Sequence, residues 1–374
     1  MVGAKLVNPF KPTAGAEPPV LIGRDKVIDD FSDGLDEGVG APARLMRITG
    51  PRGSGKTVLL TELGDIARKR GWTVVDETAG ENLCSNMVAA LARDSSGASM
   101  SADFDMGVVK VHAGAKKEEG SSLREALKKA TEKLGGNPVG LLVTVDEVQD
   151  AKESDMRDLA AAVQHLIREK RNIAFVFAGI TTGVMDLVSG QALTFLRRAK
   201  AEELDSIPLD EVSCALRSTI EKSGMSIEDE ALAKATEATA GYAYLIQLVG
   251  YHVWRMGKRH AQQSKEIDVG DVEFGVKEAM RDFNTTVHEP ALAGLPLHAM
   301  EYVIAMSQDA GVSRTSAVAE RIGVAPSSLT SYRRLLINRQ IVESAARGFV
   351  AFSIPYMREY VRANREDLLA RYGV

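Results

Sequence analysis

The chain has 374 residues, of which 45% are hydrophobic and 26% charged, and its net charge is −5. That is room for two or three domains, with a composition that excludes disordered, collagen-like and disulfide-stapled classes. No apolar run reaches membrane-spanning length, Met1-Val2-Gly3-Ala4-Lys5 lacks a signal-peptide core, and Cys84 and Cys214 form no ligand or disulfide pattern. A reduced, cytoplasmic protein with no membrane contact is expected. The charge is uneven. From Ala291 onward there are ten Arg, no Lys and seven Asp or Glu, a local +3 that leaves −8 upstream. A basic end on an acidic body points toward a nucleic-acid-facing surface.

Residues 1–20, with Pro9, Pro12, Pro18 and Pro19, read as an extended arm. Val27, Ile28, Phe31 and Leu35 then share one face of a predicted helix, ended by Gly38-Val39-Gly40-Ala41-Pro42. Leu45-Met46-Arg47-Ile48-Thr49 reads as a short buried strand. It runs into Gly50-Pro51-Arg52-Gly53-Ser54-Gly55-Lys56-Thr57, which matches the phosphate-binding loop G-x-x-x-x-G-K-[ST]. A helix follows from Val58, so the motif has its strand–loop–helix setting. Glycines let successive N–H groups turn toward phosphate oxygens, and the helix N-terminus adds positive potential. Lys56 is expected on the β- and γ-phosphates and the Thr57 hydroxyl on Mg²⁺.

Trp72 to Asp76 is a second predicted strand and Glu77 to Ser96 a helix. Residues 104–119 read as a hairpin insertion with Val108 to His112 as a strand. Ser121 to Leu134 reads as a helix, with Ser121 or Ser122 and Glu125 as a capping signal. Gly140-Leu141-Leu142-Val143-Thr144-Val145-Asp146-Glu147 is a near-continuous apolar run that delivers two carboxylates at its end. In a parallel sheet that end is the ligand-binding edge. Asp146 is expected to hold the Mg²⁺ shell and Glu147 to orient or deprotonate water. Met156 to Arg171 is a helix, Asn172 to Gly179 a buried strand, and its exit, Gly179 to Gly183, is expected beside the γ-phosphate. Arg197 and Arg198 precede a short strand expected over 203–209.

From Asp210 the pattern is helical: 210–224, 226–241, the strongly apolar 243–254 and 269–283. Beyond His288-Glu289-Pro290, helices are expected over 295–307, 315–322 and from Pro326 to about Arg339. Strands at 341–344 and 349–354 and a closing helix from Pro355 to Arg371 follow. Three helices and a hairpin describe a winged helix-turn-helix. Leu329, Tyr332 and Leu336 face inward on the third helix. Ser327, Ser328, Thr330, Ser331, Arg333 and Arg334, with Arg347 in the hairpin turn, are residue types suited to phosphates and base edges. No internal repeat appears.

The expected fold class is therefore an α/β P-loop NTPase core, a parallel sheet with helices on both faces, over 21–209. An all-α lid follows over 210–288, then a winged helix domain over 289–374. This order, with Leu21-Ile22-Gly23-Arg24 before the loop and Asp146-Glu147 after it, resembles prokaryotic AAA+ ATPases of the initiator, origin-recognition-like type. Archaeal-type and STAND signalling ATPases are related. The resemblance covers roughly residues 18 to 362. It implies that Leu21, Ile22, Gly23 and Arg24 lie against adenine, and that ATP with Mg²⁺ is the cofactor pair. It also implies that Arg197 or Arg198 serves as an arginine finger to a neighbouring copy in a homo-oligomer. Double-stranded DNA is the implied partner; a signalling switch whose winged helix contacts protein is the alternative. Two positions depart from the family pattern. Ala178-Gly179-Ile180 stands where a polar strand-end residue is common, and Gly241-Tyr242-Ala243-Tyr244 carries no lid arginine. Both departures suit slow hydrolysis.

Overall fold

Apolar runs such as 141–145 and 173–178 are satisfied as strands only if both faces of the sheet are covered. The computed structural model describes residues 6–13, 18, 20–94, 122–134, 139–189 and 196–372. Two compact units emerge. One comprises Lys26–Thr49 and Leu59–Glu203, the other Met1–Asp25, Gly50–Val58 and Leu204–Val374.

The first unit is built on a parallel sheet. In chain order its elements are α1 (Asp25–Glu37), β1 (Leu45–Thr49), α2 (Lys56–Lys69), β2 (Thr73–Thr78), α3 (Leu83–Asp94), α4 (Leu123–Lys133), β3 (Leu141–Asp146), α5 (Glu153–Arg168), β4 (Ile173–Gly179), α6 (Thr181–Ser189) and β5 (Lys200–Glu203). The strand order is β2-β3-β4-β1-β5. β3 and β4 are buried at every position, the polar Thr144 and Asp146 of β3 included. One face packs Val143, Val145, Phe175 and Phe177 against Met87, Leu127, Leu159 and Val163 from α3, α4 and α5. α4 starts with a capping box in which the Ser122 hydroxyl accepts from the Glu125 N–H and Glu125 returns the bond. The register sets Thr49 opposite Gly179 and Val145 opposite Phe177. The C-terminal ends of β1, β4 and β3 are therefore level along one sheet edge.

Several expected boundaries move; the helix expected over 156–171, for one, runs Glu153–Arg168. The helix expected from Glu77 begins at Leu83, because Glu77 and Thr78 continue the β2 ladder opposite Val145 and Asp146. The strand expected over 203–209 lies at 200–203, paired with β1 from Met46 to Thr49, and stops where β1 itself stops. Its alternating half-buried and exposed residues are those of a polar edge strand. The hairpin expected around Val108 to His112 lies outside the described residues.

A buried cation ties α1 to this sheet. Arg44, 5% exposed, donates from Nε to the Gly34 carbonyl (2.7 Å) and from Nη2 to that of Leu35 (2.6 Å). Nη1 reaches Asn172 Oδ1, and the guanidinium lies 4.9 Å over the Trp72 ring. Burial lowers its pKa from the ordinary arginine value, and Asp36 opposes that shift.

The second unit carries α7 (Leu209–Lys222), β6 (Ser226–Ile227), α8 (Asp229–Ala238), α9 (Ala243–Arg259), β7 (Glu266–Ile267) and α10 (Val269–Phe283). Then come α11 (Glu289–Leu292), α12 (Leu297–Ser307), β8 (Ser313–Arg314), α13 (Thr315–Ile322), α14 (Thr330–Asn338), β9 (Val342–Ala346), β10 (Phe349–Phe352), α15 (Met357–Ala363) and α16 (Arg365–Ala370). The region expected to be all helical contains one short parallel pair, β6 with β7. Its core gathers Val212, Leu216, Leu245, Val249, Trp254 and Phe283. The N-terminal arm belongs to it: Phe10 is buried against Gly250, where a Cβ would come within 2.5 Å of the ring.

A second core holds α12 to α16 with the antiparallel sheet β8-β10-β9. Leu329 and Leu336 point into it, as their spacing requires. α13 ends at Gly323 in the left-handed region (φ +77°), a common helix stop. The single closing helix expected to Arg371 is broken at Asn364, which leaves the helical region (φ −113°, ψ 18°) while its backbone N–H and its Nδ2 both donate to the Tyr360 carbonyl (3.0 and 2.8 Å). The two cores are joined by buried His288, whose Nε2–H donates to the Pro355 carbonyl (2.8 Å), and by Tyr356, whose hydroxyl donates to that of Ala238 (3.1 Å). Among the described residues no helix is long and apolar enough to cross a membrane.

Arg44→Met keeps the volume but leaves the carbonyls of Gly34 and Leu35 without donors. It should cost about 2–4 kcal/mol of stability, read by urea denaturation with an unchanged m-value.

Candidate nucleotide site

The loop after β1 is shaped by its glycines and by what grips it. Gly53 and Gly55 are in the left-handed region (φ +73° and +90°), which few other residues adopt cheaply. Gly50 is tight for another reason: a Cβ there would lie 2.8 Å from both the Leu204 carbonyl and Ser54 Oγ. Lys56 is 5% exposed, and its Nζ donates to the carbonyls of Gly50 (2.9 Å) and Pro51 (2.8 Å). Thr57 is exposed one residue into α2. The Ser54 hydroxyl is buried with no hydrogen-bond partner among the described residues.

Three residues from outside the motif hold it. Arg24, 8% exposed, donates from Nη2 to the carbonyls of Ser54 (3.3 Å) and Asp205 (3.2 Å). Burial lowers its pKa, while the charges of Asp205 and Glu211 raise it. The buried Tyr242 hydroxyl donates to the Arg52 carbonyl, and burial pushes its pKa up. The Arg52 N–H donates to Gln340 Oε1 (2.9 Å). Gln340 follows α14, in a turn at φ +56°. Leu21 and Ile22 are half-buried, Ile22 against the core of α7 to α10, and Gly23 turns the chain at φ +66° beside Ile207.

The acidic pair lies at the end of β3. Asp146 is 8% exposed, and its Oδ1 accepts from the Glu147 N–H (2.9 Å). Glu147 itself is left-handed (φ 50°, ψ 43°), a conformation costing about 1 kcal/mol or more for a residue with a Cβ. Its Oε2 accepts from Gln149 Nε2 (2.5 Å), and Gln149 Oε1 accepts from the Ile180 N–H (3.1 Å). α6 begins at Thr181, so Thr181 and Thr182 form its first turn.

The remaining predicted residues divide. Arg197 donates to the carbonyls of Val188 (2.6 Å) and Ser189 (2.5 Å), capping the C-terminus of α6. Arg198 is exposed. Ser327, Ser328, Thr330, Ser331, Arg334 and Arg347 are exposed, whereas Arg333 is half-buried and donates to Ser344 Oγ on β9 (3.1 Å). Three residues that hold the site escaped sequence reasoning: Gln149, Tyr242 and Gln340. Tyr242 stands in the turn noted for its missing arginine. Gln149 lies two positions beyond the acidic pair. Gln340 carries no local signal.

Residues 20–176 match the AAA ATPase domain family. Residues 285–361 match a family described as a domain of unknown function (DUF8462). No curated protein matches the chain. Among solved structures, the ORC2 protein of Aeropyrum pernix, in ADPNP–ADP complexes, aligns with a TM-score of 0.63 at 15% identity, covering 97% of this chain and 98% of that one. The Walker-type ATPase of Pyrococcus abyssi aligns at 0.64 and 14% identity, covering 91% and 96%. Cdc6p of Pyrobaculum aerophilum gives 0.51 at 16% identity, covering 96% and 97%. The shared property at such identities is the fold: a P-loop NTPase sheet followed by a helical C-terminal region.

The grip on Arg52 is testable by proteolysis, because Arg52 is itself a trypsin site. Tyr242→Phe removes one donor, worth about 1 kcal/mol. Trypsin should then cut after Arg52 about fivefold faster, seen by mass spectrometry, if local opening controls cleavage.

Proposed function

We propose that this chain is a slow, Mg²⁺-dependent AAA+ ATPase whose nucleotide state sets the C-terminal region for binding duplex DNA. One observation carries the coupling. Both backbone polar groups of Arg52, inside the phosphate loop, are bonded to elements that follow the core: the N–H to Gln340 and the carbonyl to Tyr242. A loop that rearranges around a β- or γ-phosphate strains those bonds, so phosphate occupancy and the setting of the C-terminal region share one free energy.

In this reading the loop N–H groups and Lys56 bind the phosphates, and Leu21 to Arg24 border the base. The Thr57 hydroxyl and Asp146 carboxylate are hard oxygen donors that suit Mg²⁺. Among the described residues no three His, Cys, Asp or Glu side chains converge, which fits a cation completed by phosphate and water oxygens. When bound, the ion neutralises charge on the transferred phosphoryl group. Glu147 orients the attacking water. With Arg197 engaged on α6, Arg198 is the better finger toward a neighbouring copy.

The DNA surface narrows from the sequence expectation. We read α12 to α14 with the β9–β10 hairpin as a winged helix. Of the arginines in this region, Arg321 pairs with Asp309, and Arg339 and, on α15, Arg358 and Arg362 cap carbonyls. Arg333 braces the hairpin. Of the residues expected to contact DNA, exposed Arg334 and Arg347, with Ser327, Ser328, Thr330 and Ser331, remain for phosphates and base edges; Arg314, Arg365 and Arg371 are exposed as well. Neither Arg333 nor Arg334 pairs with an acid of α7 to α10 among the described residues, which keeps DNA ahead of the signalling-switch alternative. That alternative is favoured by the two departures from the family pattern, at 178–180 and 241–244, and by the number of arginines spent on structure.

Lys56→Ala should weaken binding of a fluorescent ATP analogue about 10–100-fold. In anisotropy with a labelled duplex, ATP and ADP should give different affinities in wild type. Arg334→Ala/Arg347→Ala should weaken duplex binding and flatten its salt slope by about two. Nucleotide bound normally with no duplex binding in any state would move the conclusion to the switch.

A further inference from the structure

The end of β4 is bare: Ala178 and Gly179 offer no polar side chain, and the N–H of Ile180 is left to find a partner elsewhere. It finds Gln149. That side-chain amide spans from the N–H of Ile180 to the carboxylate of Glu147, accepting at 3.1 Å and donating at 2.5 Å. Its orientation is fixed, because a flipped amide would set NH₂ against N–H and oxygen against carboxylate, losing both bonds. The glycines beside it make the bridge fit. A Cβ on Gly179 would lie 2.6 Å from Gln149 Oε1, and one on Gly183 2.5 Å from Gln149 Cβ. The missing side chain at the strand end and the glutamine two residues past the acidic pair are thus one arrangement.

We propose that Gln149 is a positioning residue that fixes the Glu147 carboxylate relative to the end of β4. The proposal rests on Glu147 orienting the attacking water, as argued above. Glu147 leaves β3 in a left-handed conformation, and this bond restrains the rotamer that follows from it. A carboxylate without that restraint samples several rotamers, and a misplacement of about 1 Å at a reacting group costs up to about 100-fold in rate. Gln149 touches no reacting atom in this account. Its effect passes wholly through Glu147.

The test compares Gln149→Leu and Gln149→Glu, each in the wild-type and Glu147→Gln backgrounds, for ATP affinity and single-turnover hydrolysis with Mg²⁺. Gln149→Glu keeps the acceptor for Ile180 and replaces the donor by a like charge, so it serves if the leucine variant folds poorly. Both single variants should lose about tenfold or more in rate, with nucleotide affinity held within about twofold. In the Glu147→Gln background the same changes should alter the residual rate by less than about twofold, because a residue acting through Glu147 has nothing left to position. Wild-type rates in the single variants, or equal losses in both backgrounds, would overturn the proposal. A wild-type chain that binds ATP and never hydrolyses it would instead overturn the hydrolytic reading. Amide exchange at Ile180, protected in wild type and faster in Gln149→Leu, would then report the bridge by itself.

Discussion

Arg52 has its two backbone polar groups held by side chains from far along the chain, one by Tyr242 and the other by Gln340. Much of the second unit follows from that constraint. The loop cannot supply such bonds itself, because its glycines give it freedom and its lysine is turned onto the carbonyls of Gly50 and Pro51. Tyr242 reaches Arg52 because Gly241 turns the chain at φ +67°, packed so closely that a Cβ would lie 2.3 Å from the Ile207 carbonyl. Arg24 completes the grip from the N-terminal side, joining the carbonyls of Ser54 and Asp205 through one buried guanidinium. Such a cation costs free energy to desolvate, and fixed carbonyls restore it only when the geometry is good.

In the sheet unit the organising fact is the level edge made by β1, β4 and β3. A parallel sheet gathers its strand ends on one side, so the residues leaving those strands become neighbours without being neighbours in sequence. Ile180, after β4, is brought in that way to Gln149 and the acidic pair after β3. Strain at Glu147 and the bare end of β4 are compensated by the same glutamine, so one polar side chain satisfies two local demands. Arg44 plays the corresponding structural part behind the sheet, where it closes α1 onto Asn172 and Trp72.

Much of this was legible in the sequence because the decisive signals were local. The phosphate loop carries its own grammar of glycine, lysine and threonine, and the run into Asp146-Glu147 is apolar enough to admit only a buried strand. The box at Ser122 and Glu125 and the stop at Gly323 were readable for the same reason. What escaped was non-local. Strand ends are set by ladder partners, so β2 ran on to Thr78 and β5 stopped at Glu203. Gln149 is an ordinary loop residue until Gly179 and Gly183 are seen to leave room for it. Arginine counting says least in the C-terminal region, where the guanidiniums of Arg321, Arg339, Arg358 and Arg362 close turns and helix ends, contacts that net charge does not reveal.

If the proposed coupling holds, nucleotide on the phosphate loop is felt at Tyr242 and Gln340. Hydrogen–deuterium exchange of the full chain with Mg²⁺, alone and with ADP or ATP, measures it most directly. Nucleotide should change exchange in peptides covering 50–58 and also in those covering 239–245 and 338–342, with ADP and ATP distinguishable. A change confined to 50–58 would contradict it.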